Sequence, residues 1–97
     1  MSVIEIQTFR LAPGTDEAAF LVADQAVQTD FVPNLPGFAR RTTARGQDGE
    51  WLVLTLWAWS DAADEAATLA ASHDTTKAFA ALIDSDSIVV QRFTTLD

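Results

Sequence analysis

From Glu50 to Asp61 the chain reads EWLVLTLWAWSD, and this stretch holds all three tryptophans of the protein. A β-strand sends alternate side chains to opposite faces, so the run predicts one face of large residues and one of aliphatic residues. The first face carries Trp51, Val53, Thr55, Trp57 and Trp59, and the second carries Leu52, Leu54, Leu56 and Ala58. The leucine face suits packing beneath helices, whereas the tryptophan and threonine face suits a lined pocket or an interface.

The segments around this strand complete a recognisable order. Turn-forming residues and alternating hydrophobic residues predict four strands, at Ser2–Leu11, Phe38–Arg45, Trp51–Trp59 and Ile88–Leu96, with a hairpin turn at Gly46–Gly49 between the second and third. Between the first two strands, helical spacing predicts a helix that is capped by Thr15 or Asp16 and reaches Phe31. After the third strand it predicts an alanine-rich helix capped by Ser60 or Asp61, a break at Ser72–Asp74 and a second helical stretch. This order predicts an α+β fold of the ferredoxin-like split βαβ type (βαββαβ). We expect residues 1–97 to form a single domain, with both helical regions on one face of a four-stranded antiparallel sheet.

The second face of such a sheet has no helix to cover it. On the parity argument we expect the uncovered face to be apolar and to contain Val3, Phe9, Val53, Trp57 and Trp59. An exposed apolar patch of this kind usually marks an interface. The sequence therefore predicts a homodimer with face-to-face sheets, leaving a cavity between each sheet and its helices or loops.

Composition excludes several classes of function. The 97-residue chain has a net charge of −8, from six basic and fourteen acidic residues, so binding to nucleic acid is not expected. No apolar run approaches the ~20 residues of a membrane span, and the first residues lack a basic signal-peptide region, so we expect no membrane partner and a cytoplasmic location. With no cysteine and one histidine, no ordinary metal site is expected.

A few polar residues are candidates for chemistry, each beside a structural alternative. His73 could move a proton, or could be a surface or capping residue. Glu5 and Gln7 share a face of the first strand, where each could contact a ligand or make a structural hydrogen bond. Arg41 belongs to a cluster with Arg40 and Arg45 that could receive an anionic ligand, solvate the strand surface or form ion pairs.

Aromatic and turn residues leave similar alternatives. Trp57 and Trp59 could stack on an aromatic ligand or pack in the core. Thr55 lies between them and Trp51 on the same predicted face. Asn34 lies in a turn, where it could contact a ligand or shape the backbone.

Short motifs along nearly the whole chain carry a family resemblance. They are Pro13-Gly14-Thr15, Leu35-Pro36-Gly37-Phe38, Leu54-Thr55-Leu56-Trp57 with Ser60-Asp61, and His73 with Lys77-Ala78-Phe79. With this order of elements, the chain resembles the antibiotic-biosynthesis-monooxygenase (ABM) group of dimeric α+β barrels. The group includes cofactor-independent oxygenases of aromatic polyketides, quinol oxygenases and heme-degrading enzymes.

The resemblance also implies site residues. Matching the site of the heme-degrading members places Gln7 and Trp57 at two of its positions, although alignment on His73 favours Trp59 over Trp57. The position of their heme-ligating histidine falls near Ala80 or Ala81, so the resemblance does not imply heme here. The polyketide-oxidising members use a tyrosine, and this chain has none.

The resemblance thus implies a cofactor-independent monooxygenase, with neither a cofactor nor a metal, acting on a flat aromatic, polyketide or quinol-like molecule. The catalytic candidates are His73, Gln7 and Trp57, and the candidates for substrate binding are Glu5, Arg41, Trp59, Thr55 and Asn34. Either His73 or Glu5 would move the proton. The alternative is a small-ligand-binding or accessory protein of the same fold that performs no chemistry.

Overall fold

The computed structural model describes all residues from Met1 to Asp97. Its elements are β1 (Val3–Arg10), α1 (Glu17–Ala26), β2 (Phe38–Arg45), β3 (Glu50–Trp57), α2 (Ser60–Ala70), α3 (Asp74–Ala81) and β4 (Val89–Thr94). The four strands form one antiparallel sheet in the order β2-β3-β1-β4. This arrangement confirms the predicted ferredoxin-like α+β fold.

The helices cover the tryptophan face of the sheet, so the expected assignment of the two faces was wrong. Trp51, Val53, Thr55 and Trp57 are buried, whereas the leucines that alternate with them are only partly buried. Alternation fixes which side chains share a face, but it does not say which face the helices take. Size decides that choice here, because three small residues let α2 approach Trp57 closely, namely Ala62, Ala63 and Ala66.

Two hydrophobic clusters hold the helices on the sheet. The larger one is aromatic, with the Phe20 ring 4.8 Å from the Trp51 ring and 5.4 Å from the Phe79 ring, measured between centroids. The smaller cluster joins Val3 and Trp57 to the alanines of α2. Because the clusters anchor opposite ends of the sheet, the middle of the sheet lies between two packed regions.

Several element boundaries differ from the sequence-based expectation. The third strand stops at Trp57, and Trp59 occupies the N-cap position of α2 without a side-chain cap, instead of Ser60 or Asp61. Asp16 does cap α1, since its carboxylate accepts a hydrogen bond from the Ala18 N–H at 3.2 Å. After Ala26 the first helix widens into a π-helical turn, Val27–Phe31, and then tightens into a 3₁₀ turn, Val32–Asn34.

The opposite face of the sheet carries no helix and is largely apolar. Leu54 faces outward there, flanked by Ile6 on β1 and Thr42 on β2. By register, the other large apolar residues of this outer face are Ile4, Leu52, Leu56, Val89 and Phe93. The expected uncovered apolar face therefore exists, but with the leucines rather than the tryptophans on it. No helix of the structure combines the length and apolarity needed to cross a membrane.

Candidate functional site

A cavity of about 460 Å³ lies between the sheet and the helices, within the usual range of small-molecule pockets. Its floor is the helix-covered face of the sheet, and its roof is formed by α2, α3 and the π-helical turn. Fifteen of its 21 lining residues are hydrophobic, so the cavity suits a mainly apolar molecule. Alanines of α2 contribute much of the space, because a side chain of one carbon fills little of it.

A row of polar residues crosses the cavity floor from one edge of the sheet to the other. Arg41 pairs with Thr55, Thr55 pairs with Glu5, and Glu5 pairs with Arg92 on the edge strand β4. All four residues line the cavity, and Gln7 lies one row further along β1. The fold therefore gathers the polar residues of four strands beneath a hydrophobic roof.

Arg41 is buried despite its charge, with its side chain only 5% exposed. One of its terminal nitrogens, Nη2, lies 2.8 Å from the Asp24 carboxylate, which also accepts a hydrogen bond from Thr43. Its guanidinium carbon lies 5.5 Å from the centroid of the Phe79 ring, a distance that permits cation–π attraction. The ion-pair alternative for this arginine is therefore the one present in the structure.

Two buried donors at the cavity have no hydrogen-bond partner in the protein: Nη1 of Arg41 and Nε1 of Trp57. An unsatisfied buried donor costs about 1–3 kcal/mol, and a charged donor costs more. Proteins rarely keep such groups without a reason. Each of these two atoms has less than 1 Å² of accessible surface, so a ligand oxygen in the cavity would reach it only after neighbouring side chains move.

The carboxylate in the row is held by an arginine at the cavity rim. Arg92 binds Glu5 at 2.8 Å through Nε and Asp64 on α2 at 2.5 Å through Nη1. These hydrogen bonds, the one to Asp64 more than the one to Glu5, raise the pKa of Arg92 above the ordinary arginine value. Arg92 thus stays charged and connects the edge strand to α2 beside the cavity.

Residues that the sequence reasoning missed shape the cavity wall. The π-helical turn brings Val27 and Phe31 to the cavity, and the following residue Val32 joins them. Such turns inside helices occur frequently at functional sites. No sequence signal marked the turn, whereas the closely spaced alanines of α2 were visible and indicate a surface where something bulky packs.

The structure brings together five of the eight predicted site residues. Gln7, Trp57, Glu5, Arg41 and Thr55 all line the cavity.

The other three residues lie elsewhere. The Nδ1 atom of His73 accepts the Thr75 N–H at 3.2 Å and caps α3, and its ring packs on Phe31 with centroids 5.0 Å apart. The Asn34 amide donates to the backbone carbonyl of Asp30 at 3.0 Å. Trp59 is 47% exposed and lies over Gly37. His73 and Asn34 thus make the capping and turn hydrogen bonds of their structural alternatives, and both also line a second pocket of about 350 Å³.

No group of three or more histidine, aspartate or glutamate side chains is arranged to hold a metal ion. The titratable residues that line the cavity are Glu5, Arg41 and Arg92. The chemistry available to the chain itself is therefore hydrogen bonding, charge stabilisation and proton transfer by a carboxylate.

No model of a protein family matches the sequence, and no curated protein matches it. Solved structures do match its fold. SnoaB, a cofactor-independent oxygenase from Streptomyces nogalater, aligns with a TM-score of 0.76 and 20% identity, over 99% of this chain and 94% of that one. A candidate antibiotic biosynthesis monooxygenase from Bordetella bronchiseptica aligns with a TM-score of 0.80 and 14% identity, over 98% and 97% of the two chains.

A dimeric ferredoxin-like protein of unknown function from Jannaschia sp. aligns with a TM-score of 0.73 and 16% identity, over 98% of this chain and all of that one. At identities of 14% to 20%, these comparisons establish a likeness of fold alone. The resemblance to the ABM group, read from short sequence motifs, is confirmed at that level. The chain has the ferredoxin-like fold found in structures described as candidate antibiotic biosynthesis monooxygenases.

Proposed function

We propose that the chain is a cofactor-independent monooxygenase that holds a flat aromatic, polyketide-like or quinol-like molecule in the cavity between sheet and helices. One observation carries the proposal: a largely apolar cavity of about 460 Å³ whose floor bears a short row of polar residues. Such a site can hold a planar apolar molecule and orient its few oxygens. The likeness in fold to SnoaB, described as a cofactor-independent oxygenase, supports the same reaction class.

In the proposed reaction the protein prepares the substrate and molecular oxygen oxidises it. Glu5 takes a proton from a ring CH₂ group, and hydrogen-bond donors at the cavity stabilise the electron-rich anion. The anion gives electrons to O₂ and forms a carbon–oxygen bond, and the returned proton completes a hydroperoxide. Loss of water then leaves a carbonyl, so the CH₂ group and O₂ become C=O and H₂O. Gln7 and Trp57 orient the substrate in this scheme.

The second candidate is a binding or accessory protein that uses the same cavity without turnover. It is favoured by the ion pair between Glu5 and Arg92, because a carboxylate oxygen that already accepts from a guanidinium is less available to a substrate. His73, the other candidate to move a proton, is not among the residues that line the cavity, which points the same way.

Oxygen consumption separates the two candidates. The protein is mixed with anthrones and hydroquinones while an electrode follows dissolved oxygen, and mass spectrometry looks for a product in which one oxygen replaces two hydrogens. We expect uptake that Glu5→Gln abolishes and that Glu50→Gln, a change at the exposed start of β3, leaves intact. Ligand binding without uptake by the unmodified protein would instead establish the binding role.

The outer face of the sheet supports self-association. Its leucines, isoleucines and Phe93 form an apolar surface that a second copy of the chain would cover, and the Jannaschia neighbour is described as dimeric. We therefore propose a homodimer of single-domain subunits with face-to-face sheets. A monomer in sedimentation velocity at micromolar concentration would overturn this part. The cytoplasmic location stays a prediction from the sequence.

A further inference from the structure

The second pocket, of about 350 Å³, is lined by the turns that follow α1 and by the break between α2 and α3. Three of its seven lining residues are hydrophobic, namely Phe31, Leu35 and Leu69. The other four are polar, namely Asp30, Asn34, Ser72 and His73. Only Phe31 also lines the main cavity, so the two spaces are neighbours that share one wall.

The hydrogen bonds already made at this pocket leave oxygen acceptors free. The Asn34 amide donates to the backbone carbonyl of Asp30 at 3.0 Å, and the Ser72 hydroxyl donates to the backbone carbonyl of Leu69 at 3.4 Å. The amide oxygen of Asn34, the hydroxyl oxygen of Ser72 and the carboxylate of Asp30 remain as acceptors for a ligand. The free donors are the second amide hydrogen of Asn34 and the Nε2 hydrogen of neutral His73, whose Nδ1 accepts the cap hydrogen bond of α3.

Charge decides which kind of ligand fits these acceptors. Asp30 is the only carboxylate that lines the pocket, no lysine or arginine lines it, and Asp30 forms no ion pair. The side-chain partner of its carboxylate is the neighbouring Thr29 hydroxyl, at 3.2 Å. The main cavity differs, because Arg41 and Arg92 line it together with the single carboxylate of Glu5. A cation is therefore attracted to the second pocket and not to the main cavity.

We propose that the second pocket binds a primary ammonium group carried on a small apolar body, as in an arylalkyl amine. An ammonium group offers three N–H donors to the three acceptor oxygens, and its charge complements Asp30. Phe31, Leu35 and Leu69 supply the apolar contacts for the body. Because Asp30 is exposed, water screens its charge, and we expect affinities in the millimolar range. The inference goes beyond the proposed function, since none of the polar residues of this pocket lines the main cavity.

Probes that share one phenethyl body test the charge and the hydrogen bonds separately. They are phenethylamine, phenethyltrimethylammonium, phenethyl alcohol and hydrocinnamate, and nuclear magnetic resonance follows the backbone amides of the isotope-labelled protein as each is added. We expect phenethylamine, which is protonated at neutral pH, to bind about tenfold tighter than the alcohol. The trimethylated probe keeps the charge without an N–H and should fall between them, and hydrocinnamate should not bind. The signals that move should belong to residues 30–35 and 69–75.

Three variants assign the binding to named groups. Asp30→Asn removes the charge and keeps the shape, so it should weaken phenethylamine binding about tenfold and leave binding of the alcohol nearly unchanged. Ser72→Ala removes one acceptor and should weaken phenethylamine binding by about threefold. Glu65→Gln is the matched control, because it removes an unpaired carboxylate from the exposed surface of α2, outside both pockets. It should change neither affinity.

Several results would overturn the inference. Equal affinities for phenethylamine and the alcohol, no saturable binding of phenethylamine, or shifts centred on the floor of the main cavity would each do so. Equal weakening by Glu65→Gln and Asp30→Asn would show that the amine senses only the negative charge of the whole protein. If Asp30→Asn fails to fold by circular dichroism, the comparison of probes and Ser72→Ala still decide. None of these measurements involves turnover, so failure of the ammonium site leaves the proposed oxygenase standing, and absence of oxygen uptake leaves the ammonium site standing.

Discussion

Gly37 offers the sharpest test of how α2 is seated over Trp57. Its φ is +82°, and a Cβ built on it would lie 2.6 Å from the Cβ of Ala62 and 3.0 Å from Trp59 Cζ2. Gly14 is a matched control, because its φ is +81° and its Cβ would meet nothing within 4 Å. Alanine at either position adopts the same left-handed backbone, but only Gly37→Ala also pushes α2 away from the sheet.

The expected losses of stability follow from two contributions, the strain of the left-handed backbone and the contact of the new Cβ with Ala62. Left-handed strain costs about 1–2 kcal/mol for an alanine, and the gain from a less flexible unfolded chain is common to both variants. Overpacking at Ala62 adds about 1–3 kcal/mol, so Gly14→Ala should lose ~1 kcal/mol and Gly37→Ala ~3 kcal/mol. At about 4–8 °C per kcal/mol for a domain of this size, the midpoints should fall by about 4–8 °C and 12–24 °C.

Thermal and urea unfolding, followed by circular dichroism at one fixed protein concentration, measure both variants. Losses that agree within ~0.5 kcal/mol would refute the close contact between Gly37 and Ala62. If the contact is real, Gly37→Ala should also weaken ligand binding, because α2 carries the alanines above the cavity. Gly14→Ala should leave ligand binding unchanged.

Three further predictions address the outer face, the cavity and the histidine. Leu54→Asp places a charge on the outer face and should give a monomer in sedimentation velocity, whereas the control Ala19→Asp, on the exposed side of α1, should stay dimeric. If Leu54→Asp stays dimeric, the interface lies elsewhere. Ala67→Leu fills part of the cavity from an exposed position, so calorimetry should show anthrone binding at least ~10-fold weaker while the free energy of unfolding changes by less than ~0.5 kcal/mol. Unchanged anthrone binding would place the ligand outside the cavity. His73→Ala should cost ~1 kcal/mol in urea unfolding through loss of the α3 cap, and His73→Asn should restore it; a large fall in oxygen uptake with intact stability would return His73 to the catalytic group.

The element order was readable because each boundary has a local chemical cause. Pro13-Gly14 ends the first strand, Asp16 caps α1, and Gly46–Gly49 connects β2 to β3. Which face of β3 the helices cover was not readable, since both faces are apolar and parity treats them alike. The choice depends on the fit of the α2 alanines against Trp57, which is a property of two distant segments.

The candidate site shows the same contrast between features that local sequence patterns predict and features that depend on distant segments. Parity within each strand groups Gln7 with Glu5 and Trp57 with Thr55, and the antiparallel register of β1 and β3 then puts all four on the cavity face. The pairing of Arg41 with Asp24 joins β2 to α1 across sixteen intervening residues and has no sequence signature. Trp59 was placed in the strand because the alternation continues through it, but the backbone turns into α2 after Trp57 and takes Trp59 to the surface.

The sheet is a single layer, and each of its two faces has a different proposed partner, the ligand on one face and a second copy of the chain on the other. Along β3 the odd-numbered residues from Trp51 to Trp57 face the cavity side, and the even-numbered leucines between them face the proposed second copy. Selection for a new ligand and selection for subunit association would therefore act on alternating codons of the same short stretch of gene. Ligand preference can then diverge, by natural drift or in a library randomised at Val53, Thr55 and Trp57, while the residues of the association surface stay unchanged.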